Sequence, residues 1–195
     1  MLFRSVVQAI HGLKGTITPE MATGLLTAIA MDTGWFRHPT TRPETLRTAA
    51  ELVEAGAELD TLYRLLFERN TLSRLTMFGE ALAALRTDLN GRVAYTAVTR
   101  EDFARTGAIP PDTEDLVDYT VSIRGVEVGL LFIEQKRGGI KMSARSREGF
   151  DCARLAANFG GGGHKAAAGA ILPDPLSESL ARVLAAIREE LDEPS

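Results

Sequence analysis

From Thr71 to Leu89 the apolar residues Leu75, Phe78, Leu82, Leu85 and Leu89 recur at steps of four and three, the period of an amphipathic helix with one inward face. The spacing predicts one long helix over 71–89, placed as a connector. Upstream, the chain reads as helical. Thr18 caps a helix with Pro19 at its first position, and Met21, Leu25 and Ile29 are expected on its inner face. A second helix opens near Pro43 with Leu46, Ala50 and Val53 inward until Gly56 stops it, and a third covers 60–68.

Beyond Asn90-Gly91 the period shortens to two. "RVAYTAV" alternates as a strand, Thr99 with Asp102 opens a short helix that Gly107 closes, and Pro110-Pro111-Asp112 makes a turn. "VEVGLLFIE" is a second strand, and Arg137-Gly138-Gly139 turns it back into "IKMSARSR". In that third strand Ile140, Met142 and Ala144 share one side while Lys141, Ser143, Arg145 and Arg147 share the other. Asp151 caps a short helix bearing Cys152, Leu155, Ala156 and Phe159, which Gly160 ends. "GAIL" reads as a last strand, and Asp174-Pro175 caps a terminal helix with Leu180, Val183, Leu184, Ile187 and Leu191 inward.

Composition adds a few bounds. The 195 residues carry a net charge of −4, which argues against holding long nucleic acid by bulk charge alone. Between Lys136 and Lys165, however, seven basic residues stand against Glu148 and Asp151, a balance suited to a small anionic ligand or to a solvated surface. The single cysteine, Cys152, excludes an internal disulfide and fits a cytoplasmic protein. The longest strongly apolar run is "GLLFI", far short of the ~20 residues that span a bilayer, so no membrane partner is expected. "VVQAIHGL" reads as mid-helix without a cap before it, so "MLFRS" is expected to be a truncated start.

The chemistry gathers around "NFGGGGHKAAAGAIL", Asn158 to Leu172. Gly161, Gly162 and Gly163, with Gly160, are expected to form a nest of bare amides that receives a phosphate or carboxylate oxygen, a flexible linker being the alternative. No phosphate-loop motif is present, because Lys165 has no glycine before it and Ala166 after it. The relaxed dinucleotide fingerprint lacks its preceding strand. His164 ends the nest, where an imidazole can donate to a phosphate oxygen or act as an acid. Asp32 closes a helix, where the dipole disfavours a carboxylate; a metal ion would compensate, and so would a hydrogen bond to the Thr33-Gly34 turn.

"DTGWFRHPTT" followed by "TAAELVEAGA", and "IKMSARSREGFDCARLAANFGGGGHKAAAG", together resemble the DHH phosphoesterases and their associated substrate domain. The resemblance covers nearly everything after Thr18, and its nearest members are bacterial oligoribonucleases that also hydrolyse 3'-phosphoadenosine 5'-phosphate. It implies an α/β protein: the helical C-terminal remnant of a DHH domain over 1–70, a linker helix over 71–89, and a small α/β substrate domain with a mixed sheet over 90–195. It further implies two Mn²⁺ ions with Asp32 as a ligand. Ser143, Arg145, Gly161, Gly162, Gly163 and His164 would hold the substrate, with Arg145 and His164 acting catalytically. The expected partners are short RNA or small phosphorylated nucleotides, and a homodimer is compatible with it. Before Asp32 the chain offers only Glu20 and His11, and the paired-aspartate and Asp-His-His motifs are missing. The 195 residues are therefore expected to be the C-terminal part of such an enzyme, inactive alone. Alternatives are a cyclic-dinucleotide phosphodiesterase of the same family, or an RNA-binding module without chemistry, as in alanyl-tRNA synthetases.

Overall fold

A computed structural model of the chain describes residues 2–147 and 149–192. Met1 and Glu148, which entered the readings of the chain start and the local charge, lie outside the described residues. Two compact units divide between Asn70 and Thr71.

The first unit is helical: α1 Leu2–Gly12, α2 Pro19–Asp32, α3 Pro43–Glu54 and α4 Leu59–Phe67. Thr18 caps α2 by accepting the Met21 amide at 3.3 Å. The core is built from Val7, Ala22, Leu26, Ile29, Ala49, Leu52, Ala57 and Leu62. Two inner faces differ from the expectation. In α3 the buried residues are Thr45, Ala49 and Leu52, while Leu46 and Val53 are exposed; in α2 Met21 is exposed and Ala22 and Leu26 are buried. Both helices carry apolar residues on two sides, so period alone could not choose the side that packs.

The second unit is a six-stranded mixed sheet with helices. Its elements are α5 Leu72–Ala83, β1 Arg86–Asp88, β2 Val93–Val98, α6 Arg100–Thr106, α7 Leu116–Val121, β3 Val128–Glu134, β4 Ile140–Ser146, α8 Cys152–Ala157, β5 Gly162–His164, β6 Ala167–Leu172 and α9 Leu176–Asp192. The strand order is β1-β2-β3-β4-β6-β5. Only β2 and β3 run parallel, joined by the crossover through α6 and α7; the other neighbours are antiparallel. The helix expected over 71–89 stops at Ala83, because Arg86–Asp88 pair with Val93–Tyr95 as β1. Helix α5 packs as part of this unit, with Met77 and Ala81 buried among Val98, Leu116, Val117, Leu131 and Ile133.

The sheet has two faces of different character. One bears Val128, Leu130, Phe132, Ile140, Met142, Ala144, Ala168, Ala170 and Leu172, all sealed beneath Leu155, Val183, Leu184 and Ile187 of α8 and α9. The alternation predicted for β4 holds, and so do the inward residues of α9. Asp174 does not cap α9; its two carboxylate oxygens accept the Gly139 amide at 2.7 Å and Arg100 at 3.0 Å, tying down the β3–β4 turn. Strand β3 is buried on both sides until Glu134, as its continuous apolar run requires.

Candidate phosphate-binding site

The second face of the sheet can be followed row by row. Residues paired across neighbouring strands point to the same side. One row reads Gly129, Arg145, Ala167 and His164 across β3, β4, β6 and β5; the next reads Leu131, Ser143, Gly169 and Gly162. A third joins Ile133, Lys141 and Ile171. Over β2 and β3 this face is covered by α5 and α7. Over β4, β6 and β5 an open depression of about 590 Å³ remains, lined by Lys141, Ser143, Arg145, Gly160 to Gly163 and the small residues of β6.

The glycine run builds one wall, in a way the sequence did not predict. Gly160, with φ +72°, and Gly161 close α8: their amides donate to the carbonyls of Ala157 at 3.1 Å and Ala156 at 2.9 Å. This is the paired bonding of a Schellman motif, in which glycine supplies the left-handed residue. Two of the four amides are thus committed to the helix, and the expected nest of four does not form. Gly162 and Gly163 continue as β5 along β6. Close approach explains the bare Cα atoms. A Cβ on Gly161 would lie 2.2 Å from the Gly169 carbonyl oxygen, and one on Gly163 would lie 2.6 Å from that of Ala167. Gly169 in turn leaves no room, a Cβ there falling 2.7 Å from the Met142 oxygen.

The residues selected from the sequence for substrate binding come together in this unit. Ser143, Arg145, Gly161, Gly162 and Gly163 line the depression. His164 is exposed beside it, across Ala167 from Arg145, so their backbones stand two strand spacings apart, roughly 9–10 Å. The Arg145 guanidinium donates to its neighbour's carbonyl, Ala144, at 3.2 Å and pairs through Nε with Asp118 Oδ1 of α7 at 3.3 Å. Asp118, Gly129 and Gly169 carried no signal in the sequence, because each matters only through a partner brought in by the fold. Cys152 lies on the sealed face, where burial pushes its thiol up despite a hydrogen bond with Ser146; it is core.

Asp32 belongs to the helical unit. It ends α2 as an exposed carboxylate, and the turn after it is organised by Thr33, whose hydroxyl donates to the Ile29 carbonyl at 2.7 Å and accepts the Phe36 amide at 3.1 Å. Gly34, Trp35 and Phe36 all take positive φ. Among the described residues no group of three His, Cys, Asp or Glu side chains is placed to hold a metal ion. The residues present therefore do not fit a two-ion centre, which needs several carboxylates and imidazoles. Among them, too, no helix is long and apolar enough to cross a membrane.

Residues 90–193 match the DHHA1 domain. The chain is 42% identical over 89% of its length to the bifunctional oligoribonuclease and PAP phosphatase NrnA of Thermus thermophilus, of which it covers 52%. It is 30% identical over 86% of its length to the protein of the same name from Mycoplasma genitalium, covering 51% of it. An A-adding tRNA nucleotidyltransferase of Aquifex aeolicus is 25% identical over 93% of this chain, which covers 22% of that protein. The crystal structure of an exopolyphosphatase-related protein from Bacteroides fragilis superposes with a TM-score of 0.83 at 30% identity, over 89% of this chain and 51% of that one. The chain spans about half the length of the oligoribonuclease relatives it matches.

Proposed function

The chain belongs to the DHHA1-domain family of DHH phosphoesterases, and on that premise we propose that it grips the substrate in a cytoplasmic, Mn²⁺-dependent enzyme hydrolysing short RNA and 3'-phosphoadenosine 5'-phosphate. The observation that carries this reading is the row Arg145–Ala167–His164 on a part of the sheet that α5 and α7 leave open. A guanidinium and an imidazole flanking a floor of small residues can neutralise a phosphate from two sides while the backbone stays close. Ser143 adds a hydroxyl one row away, and Gly162 and Gly163 keep the wall low.

Within this proposal Asp32 is a metal ligand, and the hydrolytic centre needs further ligands than the described residues group together. The 195 residues are accordingly proposed to bind substrate without turning it over. A second reading, a nucleotide-binding module without chemistry, draws support from the similarity to the tRNA nucleotidyltransferase. Titrating the purified chain with 3'-phosphoadenosine 5'-phosphate and with three-nucleotide RNA, with and without Mn²⁺, tests both. Arg145→Ala and His164→Ala should each weaken binding about tenfold or more, as for a lost charge-assisted contact. Unchanged affinity in both variants rejects the site. Mn²⁺-tightened binding that Asp32→Ala abolishes would favour the enzyme reading, whereas binding without any response to Mn²⁺ fits the substrate-gripping half and the module alike.

A further inference from the structure

Arg145 is not held by its own strand alone. Its row begins at Gly129, where a Cβ would lie 2.3 Å from Thr120 Oγ1 and 2.6 Å from the Val121 nitrogen. The bare Cα lets α7 settle directly on the sheet, with Leu116, Val117, Thr120 and Val121 buried beneath it. That seating brings Asp118, on the outer side of α7, to the guanidinium, with Oδ1 3.3 Å from Nε. The Ala144 carbonyl takes one terminal nitrogen at 3.2 Å. Of the five donors of a guanidinium, those on the far terminal nitrogen stay available to a ligand.

We propose that Asp118 is a positioning residue that presets the Arg145 guanidinium for a phosphate ligand in the open depression, with Gly129 as the backbone feature that lets α7 deliver it. The inference rests on the reading of Arg145 as a phosphate-binding group. Exposed ion pairs of this kind add little to stability, and Asp118 is 57% exposed in its side chain, so the pair has little value as a staple. An arginine free to sample its rotamers must lose that freedom on binding. The pair removes part of the loss beforehand.

The sign of the effect separates this role from that of a bystander. A carboxylate that merely sits near an anion site repels the ligand, so its neutralisation tightens binding; a carboxylate that positions the cation weakens binding when neutralised. Titration of the 195-residue chain with 3'-phosphoadenosine 5'-phosphate at fixed salt compares wild type, Asp118→Asn, Asp118→Glu, Arg145→Ala and the Asp118→Asn/Arg145→Ala double variant, with circular dichroism confirming each fold. Asp118→Asn should weaken binding about fivefold, the upper end of what an exposed pair supplies. Asp118→Glu should recover most of it, and Asp118→Asn should cause no weakening in the Arg145→Ala background. Equal or tighter binding by Asp118→Asn, failure of Asp118→Glu to recover, or equal weakening in the Arg145→Ala background overturns the positioning role alone. If wild type does not bind, or Arg145→Ala binds as wild type does, the phosphate-site reading falls first and this inference with it.

Discussion

One face of the central sheet has two halves with opposite uses. Over β2 and β3 it is a core, where Leu131 is 2% exposed beneath Met77, Ala81, Leu116 and Val117. From the next strand on, the same row shrinks to Ser143, Gly169 and Gly162, which α5 and α7 do not cover. A sheet normally buries such a face against another layer. Here the continuation of a buried row is left open and edged with cations, and small and polar side chains make that tolerable because they present little apolar area to water. The lesson is that the proposed site lies where, within this unit, the layer of α5 and α7 stops short of the sheet.

The contrast can be broken by exchanging what each half depends on. Leu131→Ala should cost about 2–5 kcal/mol through the cavity it leaves, read as a lowered denaturation midpoint, while its row neighbour Ser143→Ala should stay within about 0.5 kcal/mol. Similar losses in the two would show that the halves are not distinct.

Gly161→Ala probes the open half. Its Cβ would meet the Gly169 oxygen and the Ala170 backbone at 2.2–2.7 Å, so β5 must shift. We expect about 1–3 kcal/mol of destabilisation together with weakened nucleotide binding by titration; unaltered binding would detach β5 from the site.

The smallest effect concerns the covered half, where α6 follows β2. Burial pushes the Asp102 carboxyl up, but the Thr99 amide and hydroxyl, both at 2.8 Å, and the Arg105 guanidinium outweigh it and hold it below the ordinary carboxylate value. A group with a depressed folded value stabilises above its unfolded value, near 3.9, and loses that contribution as pH falls through the folded value. Asp102→Asn should therefore cost about 1 kcal/mol at pH 7 and measurably less at pH 2, measured by thermal melts. An equal cost at both values would mean that the charge of the capping box is irrelevant.

Much of this was legible from residue order. The Thr99–Asp102 capping box, the Gly107 stop, the Arg137-Gly138-Gly139 turn and the alternation of β4 are local features, and each formed as read. Ser143 and Arg145 stood out because polar side chains alternated with Ile140, Met142 and Ala144. Other features were not local. Glycine has no strand preference, so β5 exists only because β6 lies beside it with Gly169 to receive it. The same run also had to end α8, and that task removed two of the four amides expected to bind an anion. In α3, apolar residues on both sides left the buried face undecided until α1 and α2 supplied partners.

The order of residues alone determined where the chain turns, which side chains of β4 face away from the core, and that a histidine follows the glycine run, because these depend on backbone period and on neighbours a few residues away. Only the tertiary structure decided that Arg145 and His164 flank the same Ala167, and that Asp118 reaches the guanidinium. Strand register and helix seating are set by contacts between residues tens of positions apart, and no local pattern encodes them.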